Sequence, residues 1–143
     1  MAEQTIELSI PSHPRFLQLV RGMMKKVTAI LSIEREQADY IILAVDEACS
    51  NIIRHSYKND HSQKIDFLIC LKKSRLDISI MDNGKPFEFT ELPCRDPEEI
   101  HPGGLGIYII RRVMDQVNYH RSKKGQNIIQ MVKALNPTPA PLS

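Results

Sequence analysis

The chain contains no tryptophan, and aromatic residues make up 6% of its 143 positions. A nucleic-acid surface built on basic stripes with interleaved aromatics therefore lacks one of its components. Charge of one sign is also scarce: 19 Lys and Arg stand against 17 Asp and Glu, a formal charge of +2. The densest cationic cluster, Arg121, Lys123 and Lys124, falls at a predicted turn, so nucleic acid is not the expected ligand. No apolar run reaches the roughly 20 residues of a membrane helix, and the opening MAEQTIELSI has neither the charged start nor the apolar core of a secretory signal. The three cysteines, Cys49, Cys70 and Cys94, are odd in number and lack metal-ligand spacing, which reads as reduced thiols. The expectation is a cytoplasmic protein with no membrane contact. What is present is an ordinary globular mixture, 42% hydrophobic and 25% charged, enough for one domain with its own core.

Residues 5–10 alternate, with Ile6, Leu8 and Ile10 on one face, and Pro11 and Pro14 end this first strand, which suits a sheet edge. Phe16, Leu19, Val20, Met23, Val27, Ile30 and Leu31 then recur at helical spacing. Ser32, with Arg35 or Glu36 after it, is the predicted cap of a long second helix reaching about Tyr57. Ile65, Phe67, Ile69 and Leu71, then Leu76, Ile78 and Ile80, predict an antiparallel hairpin that delivers the chain into Asp82-Asn83-Gly84. Residues 86–102 lose periodicity and carry Pro93, Pro97 and Pro102 among five acidic residues, the pattern of a functional loop or else a disordered one, with a mobile cover over a site the more economical reading. A helix from Gly103 to about Gln116 and a last hairpin, residues 117–122 and 127–135, complete a single domain over residues 1–135. The Pro-rich residues 136–143 are an expected disordered tail.

Three stretches carry chemistry. Residues 43–57, LAVDEACSNIIRHSY, place Glu47 and Asn51 one helical turn apart, within about 40° of each other. Ala38, Ile41, Ile42, Val45, Cys49, Ile52 and Ile53 form the opposite, apolar face. A carboxylate can take a proton from a hydroxyl, and an amide oxygen is a hard ligand suited to Mg²⁺, so the pair suits phosphoryl transfer. The plain alternative is two polar residues on a wet helix face. Asp82-Asn83-Gly84 ends a strand, either as a simple turn or with Asp82 accepting a hydrogen bond from an exocyclic amine such as that of adenine. Gly103-Gly104-Leu105-Gly106 opens a helix, either as a hinge or as a phosphate-binding turn.

Taken in order, Glu47-x-x-x-Asn51, Asp82-x-Gly84 and Gly104-x-Gly106 resemble the GHKL superfamily of ATPases and kinases. Within it the chain is similar to the small anti-sigma-factor serine/threonine protein kinases, the RsbW/SpoIIAB-like group, as far as about Leu135. The resemblance implies a Bergerat ATP-binding fold, an α/β two-layer sandwich of helices on a mixed, largely antiparallel sheet, with ATP and Mg²⁺ as cofactors. It implies that Asn51 coordinates Mg²⁺, Asp82 recognises the adenine amine, Gly84 lets the base approach, and Gly104, Leu105 and Gly106 form the phosphate-side turn. Glu47 would be the general base, and Arg54 would reach the nucleotide. The implied partners are a sigma factor and a STAS-type antagonist bearing the phosphorylated serine or threonine, and the implied assembly is a homodimer. Family members commonly place a phosphate-holding Thr after the Gly of the last hairpin, whereas here Gly125 is followed by Gln126 and Asn127. An upstream helix pair with a phosphoacceptor His is not expected to accompany the domain. His13, His55, His61, His101 and His120 accordingly read as surface or packing residues. The alternative function is a non-catalytic module whose affinity for a protein is gated by nucleotide.

Overall fold

Strands β2 (Lys64–Leu71) and β3 (Arg75–Asp82) bury alternate residues, as a pleated strand with one covered face must. The computed structural model describes residues 3–86 and 104–135. Lys72 N–H donates to the Arg75 carbonyl and closes the hairpin between β2 and β3. Strand β1 (Gln4–Pro11) pairs with β2 alone, so it is the predicted edge strand. Strands β4 (Gln116–Arg121) and β5 (Asn127–Ala134) form the last hairpin, with β5 lying between β3 and β4 in the order β1-β2-β3-β5-β4.

Every pairing among the described residues is antiparallel, in keeping with the expected mixed, largely antiparallel sheet. The reason lies in the connection after β3. It crosses over through a helix, so β4 does run in the direction of β3, but β5 returns between the two and no parallel neighbours result.

Three helices cover one face: α1 (Leu17–Ile30), α2 (Arg35–Asn51) and α3 (Gly104–Val113). Helix α1 buries Leu17, Val20, Met24 and Val27, a spacing of three and four that makes one stripe. Leu19 and Ile30 were expected on that stripe and instead lie in solvent, at 58% and 67% exposure. Ser32 is not the cap of α2. Its φ is 56°, and the N–H groups of Ser32 and Ile33 bond back to the carbonyls of Ala29 and Thr28, so this residue closes the end of α1. Glu34 precedes α2 without any side-chain cap bond.

Helix α2 keeps α geometry only to Asn51; residues Ile52–Ser56 continue as a π turn. The expected end near Tyr57 is therefore right in extent and wrong in geometry. Such turns carry one extra residue per loop of backbone and re-aim the side chains after them. Tyr57 anchors the exit by donating from its hydroxyl to the Lys64 carbonyl at 2.5 Å and accepting from Asn83 N–H at 2.9 Å. Helix α3 stops at Val113, short of the expected Gln116, because Asp115 N–H already bonds to Val132 across to β5.

Between helices and sheet lies one apolar core that includes Met24, Ile41, Ile53, Phe67, Ile69, Ile78, Ile80 and Ile110. The acidic cover of residues 86–102 lies outside the described residues beyond Pro86, as do Gly103, Cys94, His101 and the tail. Cys49 and Cys70 are free thiols, and burial holds the Cys49 thiol far above its ordinary range. No helix among the described residues is long and apolar enough to cross a membrane.

Candidate functional site

The sheet register aligns one transverse row of residues at the end of the strands. Ile10 faces Ile65, Ile65 faces Asp82, Asp82 faces Asn127, and Asn127 faces Arg121. Side chains directly opposite one another on antiparallel strands share a face, so all five point to the helix side. The row is apolar on β1 and β2 and polar on β3, β5 and β4. A polar patch is thus built into the margin of an otherwise apolar core.

Asp82 is its centre and is 2% exposed. Its Oδ1 accepts from Asn127 Nδ2 at 2.9 Å, from Gly84 N–H at 2.9 Å, and from the Ser56 hydroxyl in a very short bond. Asn127 uses its second amide proton on the Gly84 carbonyl at 3.1 Å. Burying a carboxylate is costly unless it is so supplied, and here three donors converge on a single oxygen. These three bonds of Asp82 among the described residues all fall on Oδ1.

Gly84 is required for a reason the Asn-Gly pair does not advertise. Asn83 and Gly84 are absent from the described residues with positive φ, so the left-handed turn suggested by that dipeptide does not form. A Cβ on Gly84 would instead lie 2.5 Å from the Ser56 carbonyl oxygen and 2.7 Å from its carbon, besides striking the Ser56 hydroxyl. The strand end and the π turn touch backbone to backbone there, sealed by Lys85 N–H donating to the Ser56 carbonyl at 2.9 Å.

The second cluster stands on α2. Glu47 and Arg54 line a cavity of about 410 Å³ together with Ser50, Pro14, Leu17, Ile53 and Asn59. Burial raises the proton affinity of the Glu47 carboxyl above its ordinary value; the Arg54 guanidinium opposes this and Asp46 adds to it. Asn51 sits on the face expected to be wet, yet it is 1% exposed. Its Oδ1 accepts from Arg54 Nη2 at 3.2 Å, while its Nδ2 is buried with no hydrogen-bond partner among the described residues. Arg54 also donates from Nε to the Ser50 carbonyl at 3.4 Å.

The π turn joins the two clusters, since Arg54 and Ser56 both belong to it. Glu47, Asn51 and Arg54 are brought together on one side, and Asp82, Gly84, Ser56 and Asn127 on the other. Gly104 is the first residue of α3 and Leu105 and Gly106 follow within it, so the glycine stretch does open a helix.

No three His, Cys, Asp or Glu side chains among the described residues gather into a metal cage. Mg²⁺ does not need one, because it commonly binds through one or two protein oxygens and keeps water and phosphate oxygens as its remaining ligands. The Asn51 oxygen retains a second lone pair beside the Arg54 bond, and the unpaired Nδ2 marks an amide whose surroundings are incomplete. The donor set fits such a metal.

Ser56 and Arg121 are the participants that sequence reasoning missed, and Asn127, which the sequence marks only by its place after Gly125, where relatives carry a Thr, stands against Asp82. Ser56 carries no sequence signal, but Arg121 and Asn127 flank the last turn. Counting that hairpin back from Gly125 would have paired them. Of the histidines, His13 and His61 stack edge to face at 4.5 Å, and His13 Nδ1 accepts from Arg15 N–H, a capping role.

A family profile described as the histidine kinase-like ATPase domain matches residues 10–133. The chain is 26% identical over 120 residues to the serine-protein kinase RsbW of Bacillus subtilis, covering 78% of this chain and 75% of that one. To the serine-protein kinase RsbW of Bacillus thuringiensis it is 30% identical over 122 residues, with 80% and 76% coverage. Among solved structures, the RsbU and RsbW domains of a Mycobacterium tuberculosis protein align with a TM-score of 0.63 at 12% identity, over 94% of this chain and 34% of that one. The SiaB–SiaC complex of Pseudomonas aeruginosa aligns with a TM-score of 0.62 at 12% identity, over 91% and 89%. At that identity these two likenesses concern the fold.

Proposed function

From its place in the histidine kinase-like ATPase family, to which the chain belongs as an RsbW-like member, we propose that it is an ATP-dependent serine/threonine protein kinase acting as an anti-sigma factor. It sequesters a sigma factor in the cytoplasm, most simply as a homodimer over the single domain of residues 1–135. It phosphorylates a STAS-type antagonist that competes for it. The observation that carries this reading is the α2 cluster: a half-buried carboxylate of raised proton affinity lines one cavity with the Arg54 cation, which in turn donates to the buried Asn51 amide.

When bound, ATP with Mg²⁺ supplies an activated phosphoryl group whose charge is already partly neutralised. Glu47 takes the proton from the incoming serine hydroxyl. Its raised proton affinity makes it a better base than an exposed glutamate, provided that it is ionised at working pH. Asn51 offers its amide oxygen to the metal, and Arg54, three residues on, supplies positive charge beside it. Asp82 holds Oδ2 toward the base, and the first N–H groups of α3, unpaired within the helix, suit a phosphate. The work is positioning and charge stabilisation rather than covalent chemistry.

The test is transfer of labelled phosphate from ATP to a co-encoded STAS protein. Glu47→Ala should bind ATP within about 3-fold of wild type and lose transfer by about 100-fold or more. Equal transfer by that variant removes Glu47 from the role of base. Binding of Mg·ATP that alters partner affinity with no transfer at all would favour the non-catalytic, nucleotide-gated module.

A further inference from the structure

We propose that Arg121 and Asn127 are positioning residues, a relay that orients Asp82 and thereby sets the preference of the site for a purine carrying an exocyclic amine. This deepens the kinase reading and rests on its placing of a nucleotide base at Asp82. Asparagine is inherently ambiguous as a hydrogen-bonding group. Its amide presents an acceptor on one side and a donor on the other, and a half-turn exchanges them. Asn127 stands between Asp82 on β3 and Arg121 on β4, directly opposite each in the register. Arg121 Nη1 donates to Asn127 Oδ1 at 3.1 Å. A guanidinium has donors only, so the amide oxygen must face β4 and Nδ2 must face β3. Only in that orientation does Asp82 Oδ1 receive its bond from Asn127 at 2.9 Å.

The consequence reaches the ligand. With Oδ1 saturated by Asn127, Gly84 and Ser56, the carboxylate is held in one rotamer, and Oδ2 remains as a pure acceptor. A pure acceptor welcomes an amine and repels a carbonyl, so it discriminates between 6-amino and 6-keto purines. Remove Arg121 and Asn127 Oδ1 loses its donor on β4, leaving the amide anchored only through Nδ2 on Asp82 and Gly84. The bond to Asp82 slackens, one of the three donors that fix Oδ1 weakens, and the preference weakens with it. The hairpin that holds the pair in register turns at Gly125, whose φ is 80°, and Ser122 and Gln126 bond across it.

The experiment is calorimetric titration of the full chain with Mg·ADP and with Mg·IDP, which carries a carbonyl in place of the amine. Wild type should prefer ADP by about 10- to 100-fold, the range for a hydrogen bond to a charged group. Arg121 is exposed at the hairpin, so Arg121→Ala is expected to fold with an unchanged unfolding temperature. It should bind ADP about 5- to 10-fold more weakly and IDP within about 2-fold of wild type, compressing the preference. Arg121→Lys, which keeps a donor, should recover most of it. Equal weakening toward both nucleotides would make Arg121 a brace for the hairpin and overturn the relay. An unchanged ADP to IDP ratio in Arg121→Ala, with wild type binding ADP, overturns the relay and leaves the nucleotide reading standing. Failure of wild type to bind either nucleotide overturns both.

Discussion

At the scale of single residues, the site holds groups that a stability-driven sequence would not choose. Glu47 is the plainest case. Its proton affinity in the folded chain is above the ordinary value of 4.5, chiefly through burial. Between the ordinary and the raised pKa the native state binds more protons than the unfolded state, so stability falls as pH rises through that window. Above the window the ionised carboxylate remains a net liability to the fold. Glu47→Gln removes that liability, so its unfolding temperature should exceed that of wild type at pH 7, and the difference should vanish below about pH 4, where both forms are neutral. Thermal unfolding followed at the two pH values checks the sign. A variant less stable than wild type at pH 7 would mean that the Arg54 attraction outweighs burial. Glu47, Asn51 and Asp82 were legible in the sequence because carboxylate and amide at helical spacing, or beside a glycine at a strand end, are patterns of residue type. Ser56 and Arg121 were not, because their roles come from pairing across strands and from a π turn, neither of which leaves a mark on local spacing.

At the scale of elements, the meeting of the π turn with the end of β3 decides whether the two clusters form one site. Sequence periodicity found α2 and β3 correctly, since each needs only its own apolar pattern. It could not find the π turn, where the backbone changes pitch while the apolar residues Ile52 and Ile53 continue unbroken and buried. Nor did it give the reason for Gly84, which is close backbone approach to Ser56 rather than φ. Gly84→Ala must push Ser56 or the strand end aside. Overpacking of this kind costs roughly 1–3 kcal/mol, and here the displaced atoms are backbone. The variant should melt roughly 3–9 °C lower, by the scaling for a domain of this size. It should also lose nucleotide affinity more than its lost stability would explain, because Ser56 is a donor to Asp82. Unchanged melting would show that the turn yields freely, and the two clusters would then be coupled more loosely than their contacts indicate.

At the scale of the molecule, the two clusters draw on segments distant in the chain, α2 with its π turn, β3 and β5, with the antiparallel sheet as the common base. A ligand that bridges them binds the native state alone and must stabilise the whole fold, by about 2.7 kcal/mol when present at 100 times its dissociation constant. For a domain of this size that corresponds to a rise of roughly 8 °C. Asn51 makes the coupling testable, because its buried Nδ2 has no partner among the described residues and so burdens the fold unless the proposed ligand binding offsets it. Asn51→Leu replaces the amide with an apolar group of similar size. Without nucleotide it should therefore be more stable than wild type, by about 1 kcal/mol after the lost Arg54 bond is set against the removed orphan. With ATP, the part of the stabilisation that depends on Mg²⁺ should disappear, so the two melting curves cross in order as Mg·ATP is added. Thermal shift titrations of both proteins, with and without Mg²⁺, follow that crossing. If the leucine variant melts below wild type in the absence of ligand, Asn51 supports the fold; if it keeps the full Mg²⁺-dependent rise, its oxygen does not hold the metal.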